Sequence, residues 1–363
     1  STIKAADLDH RRKINFNIGK YDAVVPQGKA QFLDVNAVRE KAKNLKWRAI
    51  EQLDKNLEMF EKKLRDRGGK VLWALDGDEA LKHVLEICRE KQCRSVVKSK
   101  SMVTEEIHLN DFLEKNGIES VETDLGEYIQ QLDGEPPYHI VTPAMHKSKE
   151  DVARLFADKL HTSPNLSPEE LTQVARVKLR EKYVQAEVGV TGANFIIADS
   201  GAIAITENEG NARLSCAWPK THIVIVGIEK VIPSLSDLAL FWPLLATYGT
   251  GQQITVYNSI ISGPRQPGET DGPEEMYVIL GGEIIITDGA KELARLTRGG
   301  MFGEMALLSA QPRSASAVAA ETTSVLALSS ETVRQAMPPH VSIQLLSNII
   351  TTLCNRLRLA NAD

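Results

Sequence analysis

The stretch VLWALDGDEALKHVLEICREKQCRSVVKSKSMVTEEIHLNDFLEKNGIESVET, residues 71–123, decides the fold. Short β-type runs alternate in it with longer runs whose apolar residues recur every three or four positions. Val71 to Leu75 reads as a strand, Asp78 to Lys91 as a helix, Ser95 to Lys98 as a strand, Val103 to Asn116 as a helix and Ser120 to Thr123 as a strand. Such alternation implies a mainly parallel sheet with helices on its faces.

Upstream, Asn36 to Arg67 carries one long helical pattern in which Val38, Ala42, Leu45, Ala49, Leu53, Leu57, Phe60 and Leu64 recur at helical steps. Gly68 and Gly69 stop it. Downstream, Ser167, Pro168 and Glu170 form a helix-start signature for an amphipathic run to Ala186. Phe195 to Ala198, Ala202 to Thr206 and His222 to Val226 follow as strand-like runs between glycine and polar turns.

From about Met276 the strands come close together: Tyr277 to Thr287, Leu293 to Thr297, Ser316 to Ala320 and Ser324 to Leu328. A final helix spans roughly Pro339 to Leu359, with Ile343, Leu346, Ile349, Ile350, Leu353 and Leu357 on one face. This is a second architecture. The chain reads as an N-terminal extension with a long helix, 1–69, an α/β domain, 70–272, and a partial β-roll with a C-terminal helix, 273–363.

With 363 residues, 42% apolar and 25% charged, the chain is of globular composition and long enough for two packed cores. A net charge of −5 gives no diffuse basic field to hold nucleic acid or anionic lipid, so any anion site is local. Four cysteines, Cys88, Cys93, Cys216 and Cys354, form no C-x-x-C pair and no zinc spacing with histidine, so no metal site is expected. The longest apolar stretch, Leu238 to Ala246, is far short of the about 20 residues that span a bilayer. No signal region opens the chain, which starts at Ser1 and reads as a fragment or a processed form with a cytoplasmic setting.

Between Gly300 and Val318 the chain reads GMFGEMALLSAQPRSASAV, with an acid at Glu304 and a base nine positions on at Arg313. Glycine lets backbone approach a ligand, the run MALLSA can make one short turn with free amides, and arginine supplies a forked cation to phosphate. The string resembles the phosphate-binding cassette of cyclic-nucleotide-binding domains. That resemblance implies cyclic AMP or cyclic GMP as ligand, with Glu304 on the ribose hydroxyl. Arg313, Ser314 and the amides from Gly303 through Met305 to Ala306 would surround the phosphate. The turn ahead reads Gly299, Gly300, Met301, Phe302, where the family has glycine then aspartate before the aromatic.

KSKSMVTEEIHLNDFLEKNGI (98–118), ETDLGEYIQQLDGEPPYHIVTPAMHKS (122–148), VGVTGANFIIADSGAIAITENEGNARL (188–214) and HIVIVGIEKVIPSL (222–235) resemble the LUD domain of LutB-type proteins over about residues 10–280. The resemblance implies a NagB/RpiA/CoA-transferase-like α/β fold and a place among the subunits of bacterial L-lactate oxidation. LutB proteins hold [4Fe–4S] clusters on C-x-x-C-x-x-C-x-x-x-C-P ladders, which this chain lacks, so no iron–sulfur cluster is expected in it. The segment DGPEEMYVIL (271–280) suits both families, closing the LUD domain and reading as a β-roll strand. A β-roll has an entry helix and two strands before that point. Gln252 to Ser262 must therefore donate pairing or leave edges that invite a homodimer, and a natural fusion and an artificial join both fit.

Within the α/β part, Lys98 and Lys100 follow a strand end, where open parallel sheets bind ligands. Thr191, Gly192 and Asn194 form a glycine turn, and Glu207, Glu209, Asn211 and Arg213 cluster in TENEGNAR. Lysines with turn amides suit a phosphate, a carboxylate or a coenzyme. Glu207 and Glu209 are candidate acyl acceptors, set against a plain polar turn. His222 reads as a hydrogen-bonded structural residue beside a strand. Three functions compete: a LutB-like component lacking cluster ligands, a cyclic-nucleotide sensor, and an acyl- or CoA-transfer enzyme.

Overall fold

The computed structural model of the chain describes residues 8–135, 144–288, 291–296 and 316–322. Two compact units divide it, residues 1–282 with 321–324, and residues 283–320 with 325–363.

The first unit opens with the helices Leu8–Lys29, Val35–Glu51 and Leu53–Asp66. The single helix expected over Asn36 to Arg67 is two, parted at Gln52 (φ −116°, ψ 33°). Each half buries a different stripe: Leu45 and Ala49 in one, Leu57, Phe60 and Leu64 in the other. A straight helix cannot aim both stripes at their separate partners. Asp34 starts the first half by accepting from the amides of Asn36 and Ala37, and Gly68 ends the second at φ +88°.

β1 (Lys70–Ala74), the helix Gly77–Glu90, β2 (Ser95–Lys98) and β3 (Glu119–Glu122) bear out the alternation read from residues 71–123. The helix expected over Val103 to Asn116 is broken into Met102–Glu106 and Leu109–Lys115, with His108 between them at φ +53°. The break separates two tasks. The first piece aims Thr104 and Glu105 at Lys98, and the second buries Leu109 and Leu113 in the core. The helices Leu125–Asp133, Lys149–Leu160 and Pro168–Gln185 follow, the last begun by the Ser167–Glu170 capping box.

The chain then makes β4 (Val188–Thr191), β5 (Phe195–Ile197), β6 (Ala202–Glu207), the helix Asn211–Ala217, β7 (Thr221–Gly227), β8 (Val231–Ile232), the helix Leu238–Thr250 and β9 (Tyr257–Ile261). β10 (Glu275–Asp288) comes last in the unit and enters it as far as Gly281. The parallel strands run in the order β1-β10-β7-β4-β2-β3. A smaller sheet runs β8-β5-β6-β9, with β9 antiparallel to β6 from Ile203↔Ile261 to Glu207↔Tyr257. Residues 257–261 thus give their pairing to the LUD-like body.

Alternation along β2 explains the layers. Val96 joins a core with Val84, Leu113 and Ile225 on one face, while Val97 joins Phe156, Leu171 and Leu179 on the other. Helices cover both faces, as a parallel sheet requires. β7 is buried along its whole length. β10 lies beside it, with Tyr277 opposite both Lys70 and Ile223, so the segment expected to suit two families is a central strand of the parallel sheet.

In the second unit the last residues of β10 pair antiparallel with β11 (Lys291–Leu296), from Ile284↔Leu296 to Asp288↔Lys291. β12 (Ser316–Thr322) also pairs with β10. The strand expected at Ser324 to Leu328, the helix at Pro339 to Leu359 and the cassette from Gly303 to Ser314 lie outside the described residues.

Candidate functional site

Polar groups gather where β2, β3 and β4 end. Lys98 closes β2 and faces Glu122 in register on β3 and Val190 on β4. Its side chain is fully buried, and its three protons meet Thr104 Oγ1 at 2.8 Å, Glu105 Oε1 at 2.7 Å and Glu122 Oε1 at 2.8 Å. An ammonium has three donors, so its capacity is filled. Burial alone lowers the basicity of Lys98, but Glu122, Glu105 and Glu127 outweigh it and hold the ammonium above its ordinary range. Lys98 is therefore a permanent internal cation bound to its own carboxylates.

Glu122 also accepts from Asn110 Nδ2 at 2.6 Å. Its Oε2 and Glu127 Oε2 are both buried with no partner when both groups are taken as acceptors. Burial, and then the Glu122 charge, push Glu127 well above the usual carboxylate range. A protonated Glu127 donating to Glu122 satisfies both oxygens, and like charges in contact cannot both ionise. The pair holds one proton beside Lys98.

Asp124, just beyond β3, caps the helix Leu125–Asp133 by accepting from the amides of Gly126 and Glu127. Lys100 Nζ lies 3.4 Å from Asp124 Oδ2, and Glu209 accepts from the Leu125 amide at 3.4 Å. Burial raises Glu209, with Asp124 adding to the shift. Lys100, Asp124 and Glu209 thus meet at one helix start.

Glu207 has a different task. Its two oxygens accept from the amides of Ala212 and Arg213, each at 2.8 Å, and so start the helix Asn211–Ala217. Burial raises it, opposed by those amides. Asn211 offers its carbonyl to Tyr183 Oη and Ser215 Oγ, each at 3.0 Å. Arg213 is exposed on the same helix.

Thr191 Oγ1 lies 2.8 Å from His222 Nε2, with Cys216 Sγ at 3.4 Å from the same nitrogen. Burial pushes His222 down to about 3, so the ring is neutral and serves as a buried bridge, as its place beside a strand suggested. Gly192 turns closely past Ser101, where a Cβ would come within 2.7 Å of the hydroxyl. Asn194 stands apart, its Oδ1 accepting from the Thr206 amide across the β5–β6 hairpin. Among the described residues no three His, Cys, Asp or Glu side chains are placed to hold a metal ion, and no helix is long and apolar enough to cross a membrane.

The structure therefore joins Lys98, Lys100 and Glu209 through Asp124, Glu122 and Glu127, none of which stood out in the sequence. A signal for them exists: Glu122 ends a strand, and Asp124 stands three residues before Glu127 as a helix cap.

The doubly covered parallel sheet and the ion-pair nest at its strand ends define an α/β protein whose polar site lies beyond the carboxyl ends of its strands. The chain belongs to the LUD domain family, whose model matches residues 57–280. The model for the cyclic nucleotide-binding domain matches residues 267–340. The chain is 44% identical over 243 residues to "Lactate utilization protein B" of Bacillus velezensis, covering 67% of this chain and 51% of that protein. With the Bacillus subtilis protein of the same name the identity is 42% over 243 residues, with the same two coverages. With "Uncharacterized electron transport protein YkgF" of Escherichia coli it is 40% over 242 residues, again 67% and 51%. The chain spans about half the length of the curated relatives it matches. A solved DUF162 family protein from Deinococcus radiodurans is similar at 14% identity and TM-score 0.36, over 62% of this chain and 96% of that one.

Proposed function

We propose that this chain is a LutB-like component of bacterial L-lactate utilisation that contributes the α/β body and binding surfaces and leaves electron transfer to other subunits. The observation that supports it is the 243-residue likeness, at 44% identity, to Lactate utilization protein B. The four cysteines of this sequence form no cluster ladder, which supports a role for it in structure and binding. The reading places the chain in the cytoplasm with other lactate-utilisation subunits as partners. Co-expression of the tagged chain with those subunits tests it: a complex that survives gel filtration is expected, and elution of each component alone opposes the reading.

The match at residues 267–340 favours a second role for the C-terminal third, a cyclic-nucleotide module. Glu304 takes the ribose hydroxyl, while Arg313, Ser314 and the amides of Gly303, Met305 and Ala306 take the cyclic phosphate. Losing one charge-assisted bond of this kind costs about 1.5–3 kcal/mol. Titration with cyclic AMP and cyclic GMP should show saturable binding that Arg313→Ala weakens more than tenfold. Equal affinity in both proteins removes the role.

An acyl-transfer reading draws on Glu209 more than on Glu207, whose oxygens are both committed to backbone amides. Covalent labelling at Glu209 by an activated acyl donor, abolished in Glu209→Gln, would support it.

A further inference from the structure

Arg67, Arg213 and Arg265 come from three separate parts of the chain and line one cleft of about 500 Å³. That is the size of a small-molecule site. Arg67 follows the helix Leu53–Asp66, Arg213 lies in the helix Asn211–Ala217, and Arg265 sits in the loop after β9. Neither the Arg67 nor the Arg213 guanidinium donates a hydrogen bond to another described residue. Arg265 reaches Glu274 only at 3.8 Å.

The loop forming the far wall is fixed in place. Arg265 N donates to Pro273 O at 2.7 Å, Gln266 Nε2 to Arg67 O at 3.0 Å, and Gly272 N to Ala217 O at 3.3 Å. Gly263, at φ +145°, runs flush against Arg67, where a Cβ would come within 3.2 Å of Arg67 Cβ. Bare backbone there lets the loop close without displacing the Arg67 stem. Two carboxylates share the lining, Glu269 and Asp271. Glu269 is engaged by the Gln266 amide at 2.7 Å.

We propose that this cleft binds a small phosphoryl-bearing molecule, whose terminal phosphate is held between the guanidinium forks of Arg67, Arg213 and Arg265. Forks arriving from three segments suit the three terminal oxygens of a phosphoryl group better than one planar carboxylate. Three arginines outnumber the two carboxylates of the lining, so the cleft keeps a positive balance that favours an anion. A preformed cleft adds little ordering cost on binding. The site stands independently of the lactate reading.

Isothermal titration of the full chain with inorganic diphosphate at fixed ionic strength tests it, with succinate as the dicarboxylate arm. Saturable single-site binding of diphosphate is expected, weakened about tenfold or more in Arg213→Gln and abolished in Arg67→Gln/Arg213→Gln. Both side chains are exposed, so thermal melting of the variants should match the parent. Arg180→Gln, on an exposed helix face, should bind as the parent does. Absence of diphosphate binding overturns the proposal, as does equal binding by parent and double variant. Tighter binding of succinate than of diphosphate overturns the phosphoryl assignment.

Discussion

Lys98 and Glu122 are register partners on adjacent parallel strands, and their buried side chains meet at 2.8 Å. Removing one member of such a pair leaves a buried charge without its counter-ion. Lys98→Met should cost about 3–5 kcal/mol in urea denaturation. Lys98→Met combined with Glu122→Gln should recover part of that loss. A single variant as stable as the parent would show that the pair is not a structural cation and its counter-ion.

Glu127 and His222 oppose each other in pH dependence. Glu127 is raised in the folded state, so its contribution is full below the ordinary glutamate value and is lost as pH rises through the raised one. His222 is depressed to about 3, so its contribution is full above the ordinary histidine value and is lost as pH falls through the folded one. Stability should therefore peak in mildly acidic to neutral solution. Glu127→Gln, which mimics the protonated acid, should flatten the alkaline limb and leave the acid limb alone. Thermal melts across the pH range check this, and an unchanged alkaline limb in the variant contradicts the shared proton.

Two glycines separate close packing from free space. A Cβ at Gly189 would lie 1.8 Å from Ser215 O, on the helix beside β4, whereas at Gly249 it meets nothing within 4 Å. Gly189→Ala should cost at least about 1–3 kcal/mol through forced backbone movement. Gly249→Ala, in the helix Leu238–Thr250, should gain roughly 0.5–1 kcal/mol. Equal stability of the two variants would argue against the packing of β4 on the helix Asn211–Ala217.

The sheet was legible because β-branched runs alternate with helical periodicity between Val71 and Thr123. Helix breaks were not: Gln52 and His108 are ordinary residues whose conformations are imposed by packing on either side. β9 was legible only as a segment that either donates pairing or leaves an edge, because it is a half-exposed edge strand without a run of core residues. Lys98 announced itself by position, but its role did not, because the carboxylates that hold it arrive from a helix turn, a neighbouring strand and the helix after that strand. Glu207 read as a candidate acyl acceptor set against a plain polar turn; its oxygens accept from two amides that follow Gly210 at φ +80°.

The most direct test of the central claim is a chimera in which residues 57–280 of this chain replace the equivalent stretch of the Bacillus subtilis Lactate utilization protein B. Growth on L-lactate as sole carbon source is then measured in a strain lacking the native gene. Restored growth is the predicted result, since the LUD body would supply the same contacts and site. A chimera that accumulates as folded protein but does not support growth would contradict the account.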